Sequence, residues 1–167
     1  NGQNVKLTLE ILVPISRTNQ LYAESVTETG RLAGIEIKAV NMDISEISKK
    51  SRSGDFESAF MGMVMFPGLT DLSQRYHSRY LSPAGDNRSR YVNPQVDVLL
   101  ERIAAESDEA KRNQLYLEAQ KIIYNDLPEV FILAPYQLVV TAKKFNAVTS
   151  TNRPGYYEHL FKLKAAN

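Results

Sequence analysis

The sequence has no cysteine and no tryptophan, and only two of its 167 residues are histidine. Without cysteine the chain can form neither a disulfide framework nor a thiolate metal site. The two histidines, His77 and His159, lie far apart in the sequence, whereas a zinc site needs several nitrogen or sulfur ligands at defined spacing. We therefore expect no metal and no other cofactor.

Net charge and long apolar runs are also scarce. The net charge is +1, because 20 Lys and Arg residues nearly balance 19 Asp and Glu residues, so bulk attraction to nucleic acid is not expected. No apolar run approaches the ~20 residues that a membrane-spanning helix needs. The motifs G-x-S-x-G, Walker loop, G-x-G-x-x-G and H-E-x-x-H do not occur, which makes an enzyme the weaker class of function.

The composition that remains is that of an ordinary globular domain, with 43% hydrophobic and 23% charged residues. Residues 5–13 and 35–40 alternate apolar and polar side chains, which predicts two strands. Between them the apolar spacing is helical, with Thr18 or Asn19 as the N-cap and Gly34 as the stop. This order predicts a right-handed β-α-β unit with parallel strands. The chain opens almost at once on a strand pattern, so we expect it to be a piece excised from a longer protein.

A second β-α-β unit follows and ends in a methionine-rich run. Asp43 predicts the cap of a helix over residues 44–51, and the apolar run over residues 59–65 predicts a strand buried on both faces. Two such units in series predict an α/β fold, with a mixed, mostly parallel sheet flanked by helices. Pro67-Gly68 ends the strand, at the place where open α/β sheets bind ligands. The strand's methionines either face a variable apolar ligand or fill gaps in the core, and the sequence leaves both readings open: Met61, Met63 and Met65.

Residues 72–91 form a long segment of weak periodicity, in which cationic and aromatic residues are interleaved. One reading is a rim that touches a ligand or partner, and the other is a solvated loop whose tyrosines pin it to the domain. The cations and tyrosines concerned are Arg75, His77, Arg79, Arg88 and Arg90, with Tyr76, Tyr80 and Tyr91.

The second half of the sequence predicts a helical hairpin followed by short strands. Asn93-Pro94 opens the first helix, and Asp108 begins the second, which ends at Leu127-Pro128. Strands are predicted over residues 130–134, 136–141 and 159–163. The apolar stripes of the two helices are Val96, Leu99, Leu100 and Ile103, and Leu115, Ala119, Ile122 and Ile123.

Four blocks in this order resemble the C-terminal lobe of extracellular solute-binding proteins of ABC importers, in the oligopeptide, dipeptide and nickel-binding group. They are G-I-E-I-K-A-V, R-S-G-D-F-E-S-A-F-M-G, Y-V-N-P-Q-V-D-V-L-L and D-E-A-K-R-N-Q-L-Y-L-E-A-Q-K-I-I-Y-N-D-L-P. The resemblance covers nearly the whole chain. It implies a periplasmic-binding-protein type II-like lobe spanning residues 1–167 as a single unit, with the other lobe of a hinge-closing binder missing.

The sequence departs from that family at the place where peptide-binding members hold the ligand. Those members typically carry a tryptophan after M-G and then an aspartate that pairs with the peptide's amino terminus, whereas this chain has Met63 and Phe66 at those places. A buried ammonium without a partner is costly. Either Asp71 therefore takes over, or the ligand is not a free-amine peptide. The predicted ligand-binding residues are Met63, Met65, Phe66 and Asp71, with Arg75, Arg79 and Tyr91 as outer candidates.

The resemblance further implies a non-catalytic protein of the periplasm or cell exterior. Its expected partners are a small-molecule or peptide ligand and, through the full-length protein, an ABC permease in the membrane; we expect a monomer and no contact with nucleic acid. Three alternatives stay open: a solute-sensing domain of a regulator, a hydrolase that uses the 72–91 loop, and a stand-alone interaction module.

Overall fold

The computed structural model describes residues 7–62 and 71–134 and, further along the chain, residues 142, 145–146 and 164–165. These residues divide into two units. The first unit consists of residues 7–62 and Leu72–Glu129, and the second contains residue 71 and the described residues from Val130 onward.

A three-stranded parallel sheet organises the first unit, with the strand order β2–β1–β3. The strands are β1 (Thr8–Pro14), β2 (Glu36–Met42) and β3 (Ser58–Ala59). Helix α1 (Arg17–Leu32) connects β1 to β2, and helix α2 (Ile44–Ser53) connects β2 to β3. Both predicted β-α-β units are therefore confirmed, and so is the α/β fold class.

The prediction for the methionine-rich strand is wrong in the part that the structure describes. β3 covers only Ser58–Ala59, residues 60–62 lie outside any strand, and Met61 is exposed. Strand pairing stops after the Phe60 amide donates to the Leu12 carbonyl at 2.8 Å. The next bond of a parallel ladder would need an N–H from Pro14, which proline lacks. The buried strand of the sheet is β1, which lies in the middle and in which Ile11, Leu12 and Val13 are buried.

Helix α1 begins earlier than predicted and packs closely on the sheet. Its N-cap is Ser16, whose hydroxyl accepts a hydrogen bond from the Asn19 amide at 3.1 Å, so the predicted caps lie within the helix. At its other end Gly30 is buried against Ile37 of β2, and a Cβ added there would lie 2.5 Å from the Ile37 Cδ1 atom. Glycine at this position therefore sets how closely α1 approaches β2.

Helix α2 follows β2 and ends at a glycine in the left-handed backbone conformation. Asp43 is its N-cap, as predicted, and accepts a hydrogen bond from the Ser45 amide at 2.8 Å. The helix is two residues longer than predicted and ends at Gly54, whose φ of 83° is strained for any residue with a Cβ.

The helical hairpin follows helix α3 (Ser73–Tyr76) and a 3₁₀ turn (Ser78–Tyr80) in the first unit and has its own core. Helix α4 (Pro94–Ala105) begins at the predicted N-cap Asn93, and α5 (Glu109–Asp126) begins at Asp108. Helix α5 ends because Leu127, which precedes Pro128, adopts the left-handed conformation with φ 50°. The predicted stripes form one core with Tyr76: Val96, Leu99, Leu100, Ile103, Leu115, Ala119 and Ile123, with Ile122 partly buried.

The strand predicted over residues 130–134 is not formed. These residues are irregular, and the side chains of Val130 and Phe131 are exposed. A short apolar run forms a strand only when a neighbouring strand pairs with it, and no described strand pairs with residues 130–134. The second unit instead contains an antiparallel pair, β4 (Phe145–Asn146) and β5 (Lys164–Ala165). The strands predicted over residues 136–141 and 159–163 lie outside the described residues.

Candidate functional site

The carboxyl ends of three parallel strands meet at one edge of the sheet. β1 ends at Pro14, β2 at Met42 and β3 at Ala59. An exposed apolar residue follows each end closely: Ile15 is 66% exposed, Ile44 55% and Met61 39%. We call these three residues the carboxyl edge. Ligands of open α/β sheets bind outside the carboxyl ends of the strands, so this edge is the candidate site.

The backbone fixes how two of these side chains leave the sheet. The Ile15 amide donates to the Met42 carbonyl at 3.1 Å, so the chain stays tied to β2 for one residue beyond Pro14. Ile44 is the first residue of α2, directly after the cap Asp43. The hydrogen bonds from Ser45 hold the pKa of the Asp43 carboxyl below its usual value. That carboxylate therefore caps the helix, and the three residues of the carboxyl edge are apolar and exposed.

Of the residues predicted to bind ligand, Met63, Met65 and Phe66 lie outside the described residues. Asp71 is exposed and belongs to the second unit. Sequence reasoning did not include Ile15 or Ile44 among the candidates. The signal that could have found them is an apolar residue in the short connection from a strand to the next helix, where a side chain faces the crevice rather than the core.

Arg75 and Tyr91 each have a partner within the first unit. The Arg75 Nε atom lies 2.8 Å from both carboxylate oxygens of Glu129. The Tyr91 hydroxyl donates to Asp126 Oδ2 at 2.5 Å. Burial, with help from the Asp126 carboxylate, raises the pKa of Tyr91, while the bonds from Tyr91 and Asn93 lower the pKa of Asp126. Tyr91 is therefore a neutral donor and Asp126 an ionised acceptor at ordinary pH.

Arg79 also has partners on the surface of the first unit. Its Nε atom donates to His77 Nε2 at 3.3 Å, and one terminal nitrogen lies 3.3 Å from Glu101 Oε1. The guanidinium carbon lies 5.5 Å from the centre of the Tyr80 ring. The three outer candidates, Arg75, Arg79 and Tyr91, thus each contact a different partner. A ligand role for them stays a prediction, and it would require the ligand to compete with these partners.

Two further features bear on function. A groove of about 440 Å³ runs along the helical hairpin, and no predicted ligand residue lines it; its lining is Pro94, Gln95, Val98, Leu99, Arg102 and Ile122. Within the described residues, no three His, Asp or Glu side chains are grouped so that they could hold a metal ion. The same part of the chain contains no helix with the length and apolar character needed to cross a membrane.

Solved structures that superpose on this chain identify the class of its fold. The oligopeptide-binding protein AppA from Bacillus subtilis superposes with a TM-score of 0.68 at 19% identity, over 77% of this chain and 27% of that one. The periplasmic binding protein DppA from Helicobacter pylori, which is ABC transporter-associated and was solved with a peptide, superposes with a TM-score of 0.65 at 25% identity, over 73% of this chain and 24% of that one. The fold is that of a periplasmic-binding-protein type II lobe.

Among named relatives, di/tripeptide-binding protein 4 of Pseudomonas aeruginosa is 24% identical over 145 residues, which are 80% of this chain and 26% of that protein. The chain thus spans about a quarter of the length of the proteins it matches. No known family profile matches it. The resemblance to peptide-binding solute receptors inferred from the four sequence blocks is confirmed. The proteins found are binding proteins rather than enzymes, and the periplasmic relative agrees with the predicted location in the cell envelope.

Proposed function

We propose that this chain is one lobe of a two-lobed extracytoplasmic receptor. The receptor binds a peptide, or another small and partly apolar solute, and presents it to an ABC permease. The shared fold and the names of the relatives support this proposal. The comparison of lengths supports it as well. This chain matches about a quarter of such a protein, so the other three quarters would supply the opposite wall of the cleft.

The observation that carries the proposal is the apolar carboxyl edge. Ile15, Ile44 and Met61 stay exposed at the ends of three adjacent strands, although each would be stabilised by leaving water, on the order of 1.5–3 kcal/mol for a fully buried side chain. A bound solute covered by the second lobe would bury them. We also propose that Met63, Met65 and Phe66 contact the solute and that Asp71 provides the charge that pairs with a free amine.

The mechanism is differential binding. A solute that contacts both lobes interacts with more surface in the closed state than in the open state, so its binding shifts the population towards closure. The closed form would then dock on the permease as a monomer. No bond of the solute needs to be formed or broken.

Isothermal titration of the full-length protein with trileucine, and with other peptides of two to five residues, tests this function. We expect trileucine to bind, and we expect Asp71→Ala to weaken its binding at least about tenfold, because a desolvated ammonium would lose its partner. Glu118→Ala is the control, since Glu118 is an exposed carboxylate on α5, away from the carboxyl edge; this variant should bind as the unaltered protein does.

Three results would contradict the proposal. Tight binding of trileucine that survives Asp71→Ala would refute the role given to Asp71. Absence of binding by peptides of two to five residues would refute peptide as the solute class. Release of free leucine during the titration would show a hydrolase instead of a receptor.

A further inference from the structure

The loop over residues 81–91 is held in shape by one buried amide side chain. Asn87 is fully buried, and its Nδ2 atom donates to the Tyr91 carbonyl at 2.8 Å and to the His77 carbonyl at 3.3 Å. Its Oδ1 atom accepts from the Tyr91 amide at 3.1 Å. These bonds close the loop on itself and fix the direction of the residues on either side of it. Asn87 therefore links both ends of the loop by hydrogen bonds within the first unit.

On one side the loop is fastened to the helical hairpin. The Tyr91 hydroxyl donates to Asp126 at the end of α5. The Tyr91 ring packs edge-on against Tyr76 with 6.4 Å between the ring centres, and Tyr76 belongs to the hairpin core. Tyrosine supplies here both a large apolar contact and a polar anchor.

On the other side the loop is fastened to the last turn of α2. A terminal nitrogen of Arg90 donates to the Ser53 carbonyl at 2.8 Å and lies 3.5 Å from the Arg52 carbonyl. Arg88 donates to the hydroxyl of Ser51, which is fully buried, at 3.2 Å. The last carbonyls of a helix have no partner within the helix, and they favour a cation. Arg90 thus supplies from the loop a cap for the C-terminus of α2.

Gly54 shows how closely the Arg90 guanidinium approaches this helix end. A Cβ added to Gly54 would lie 2.6 Å from the Nε atom of Arg90. Helix α2 packs on β1 through its middle, and its first residue, Ile44, is part of the carboxyl edge. A helix of this length is about 15 Å long, so a tilt at its last turn is transmitted to its first.

We propose that Arg90 is a positioning residue for solute binding: it fixes α2 to the loop and so holds Ile44 and the carboxyl edge in their binding geometry. This inference rests on the proposed function. Arg90 does not touch the solute in this account, and it acts through the helix end to which it donates.

The test compares trileucine affinity and amide hydrogen exchange of the full-length protein for Arg90→Ala, Arg90→Lys and Arg31→Ala, well below the melting temperature. Arg31 is the matched control because it pairs within α1 with Glu28. We expect Arg90→Ala to bind trileucine roughly tenfold more weakly, with faster exchange at the amides of α2. Arg90→Lys keeps a donor cation and should recover most of the affinity, and Arg31→Ala should match the unaltered protein in both measurements.

A residue that only stabilises the fold would lower the melting temperature without changing affinity at low temperature. Trileucine affinity within twofold of the unaltered protein in Arg90→Ala, despite faster exchange in α2, would therefore overturn the positioning role and leave the proposed function intact. If Arg90→Ala does not fold, Arg90→Met keeps the apolar stem, removes the donors and should give the same loss of affinity; unchanged affinity there would overturn the inference. No binding of trileucine or of other peptides of two to five residues by the unaltered protein would refute peptide as the solute class, and this inference would be overturned with it.

Discussion

Leu100 lies in the core that the two helices of the hairpin share, and only 1% of its surface is exposed. Leu100→Ala should lower the free energy of unfolding by about 2–5 kcal/mol, because it removes buried methyl groups and leaves a cavity. Leu117 on α5 offers a matched control, since the same residue type is 66% exposed there. Leu117→Ala should change the free energy by less than about 0.5 kcal/mol in the same urea titration. Equal effects of the two variants would contradict the packing described for the hairpin.

Tyr76 gives the first unit a dependence on alkaline pH. Burial, together with the nearby Glu129 carboxylate, raises the pKa of Tyr76 to about 12. An unfolded tyrosine loses its proton near pH 10, so the stabilisation from Tyr76 is complete below about pH 10 and is lost as the pH rises towards 12. We expect the difference in unfolding free energy between the unaltered protein and Tyr76→Phe to shrink between pH 10 and the folded-state pKa. Tyr124→Phe removes a hydroxyl from an exposed position and serves as the control for the substitution itself; a difference that stays constant for Tyr76→Phe would refute the assignment.

At the scale of a secondary-structure element, Asn93 is the N-cap of helix α4. Its Oδ1 atom accepts from the amides of Gln95 and Val96 at 2.9 and 3.4 Å, and its Nδ2 atom donates to Asp126 at 2.8 Å. Asn93→Ala should lower the free energy of unfolding by about 0.5–2 kcal/mol, the usual range for loss of a cap. Asn113→Ala, on the exposed face of α5, should leave it unchanged or raise it slightly, since alanine is the better helix former. Calorimetry of both variants checks this, and equal melting temperatures would contradict the capping role.

Elements whose signals are local could be predicted from the sequence. Asp43, Asn93 and Asp108 begin their helices where the side-chain chemistry requires a cap, and the stripe from Val96 to Ile103 is buried because its spacing fits one helix face. β3 is shorter than predicted because its pairing depends on Pro14 in another strand. The positions of Ile15 and Ile44 after strand ends could be recognised locally, but their assembly at one edge depends on the order of the strands, which no local pattern contains.

The 72–91 segment illustrates the same difference between local and distant signals. Its tyrosines could be recognised as anchors, and Tyr76 and Tyr91 do pin the segment to the hairpin. The partners of its arginines could not be recognised, because Glu129 and the carbonyl of Ser53 lie 54 and 37 residues away in sequence. The tyrosine contacts agree with the interpretation of a segment pinned to the domain, and a ligand role for Arg75, Arg79 and Tyr91 stays a prediction.

At the scale of the whole molecule, the chain accounts for about a quarter of the length of its relatives. A single carboxyl edge of this kind can cover one side of a solute, so affinity in the proposed receptor depends on the second lobe. Closure is then the step at which Ile15, Ile44 and Met61 leave water, and binding should carry a negative heat-capacity change.

Amide hydrogen exchange of the full-length protein, with and without saturating trileucine, tests the central claim most directly. The account predicts that the amides of Ile15, Ile44 and Met61 exchange at least about tenfold more slowly when the peptide is bound, because the edge is then covered. Protection confined to α4 and α5, or bound peptide with unchanged exchange at all three edge residues, would contradict it.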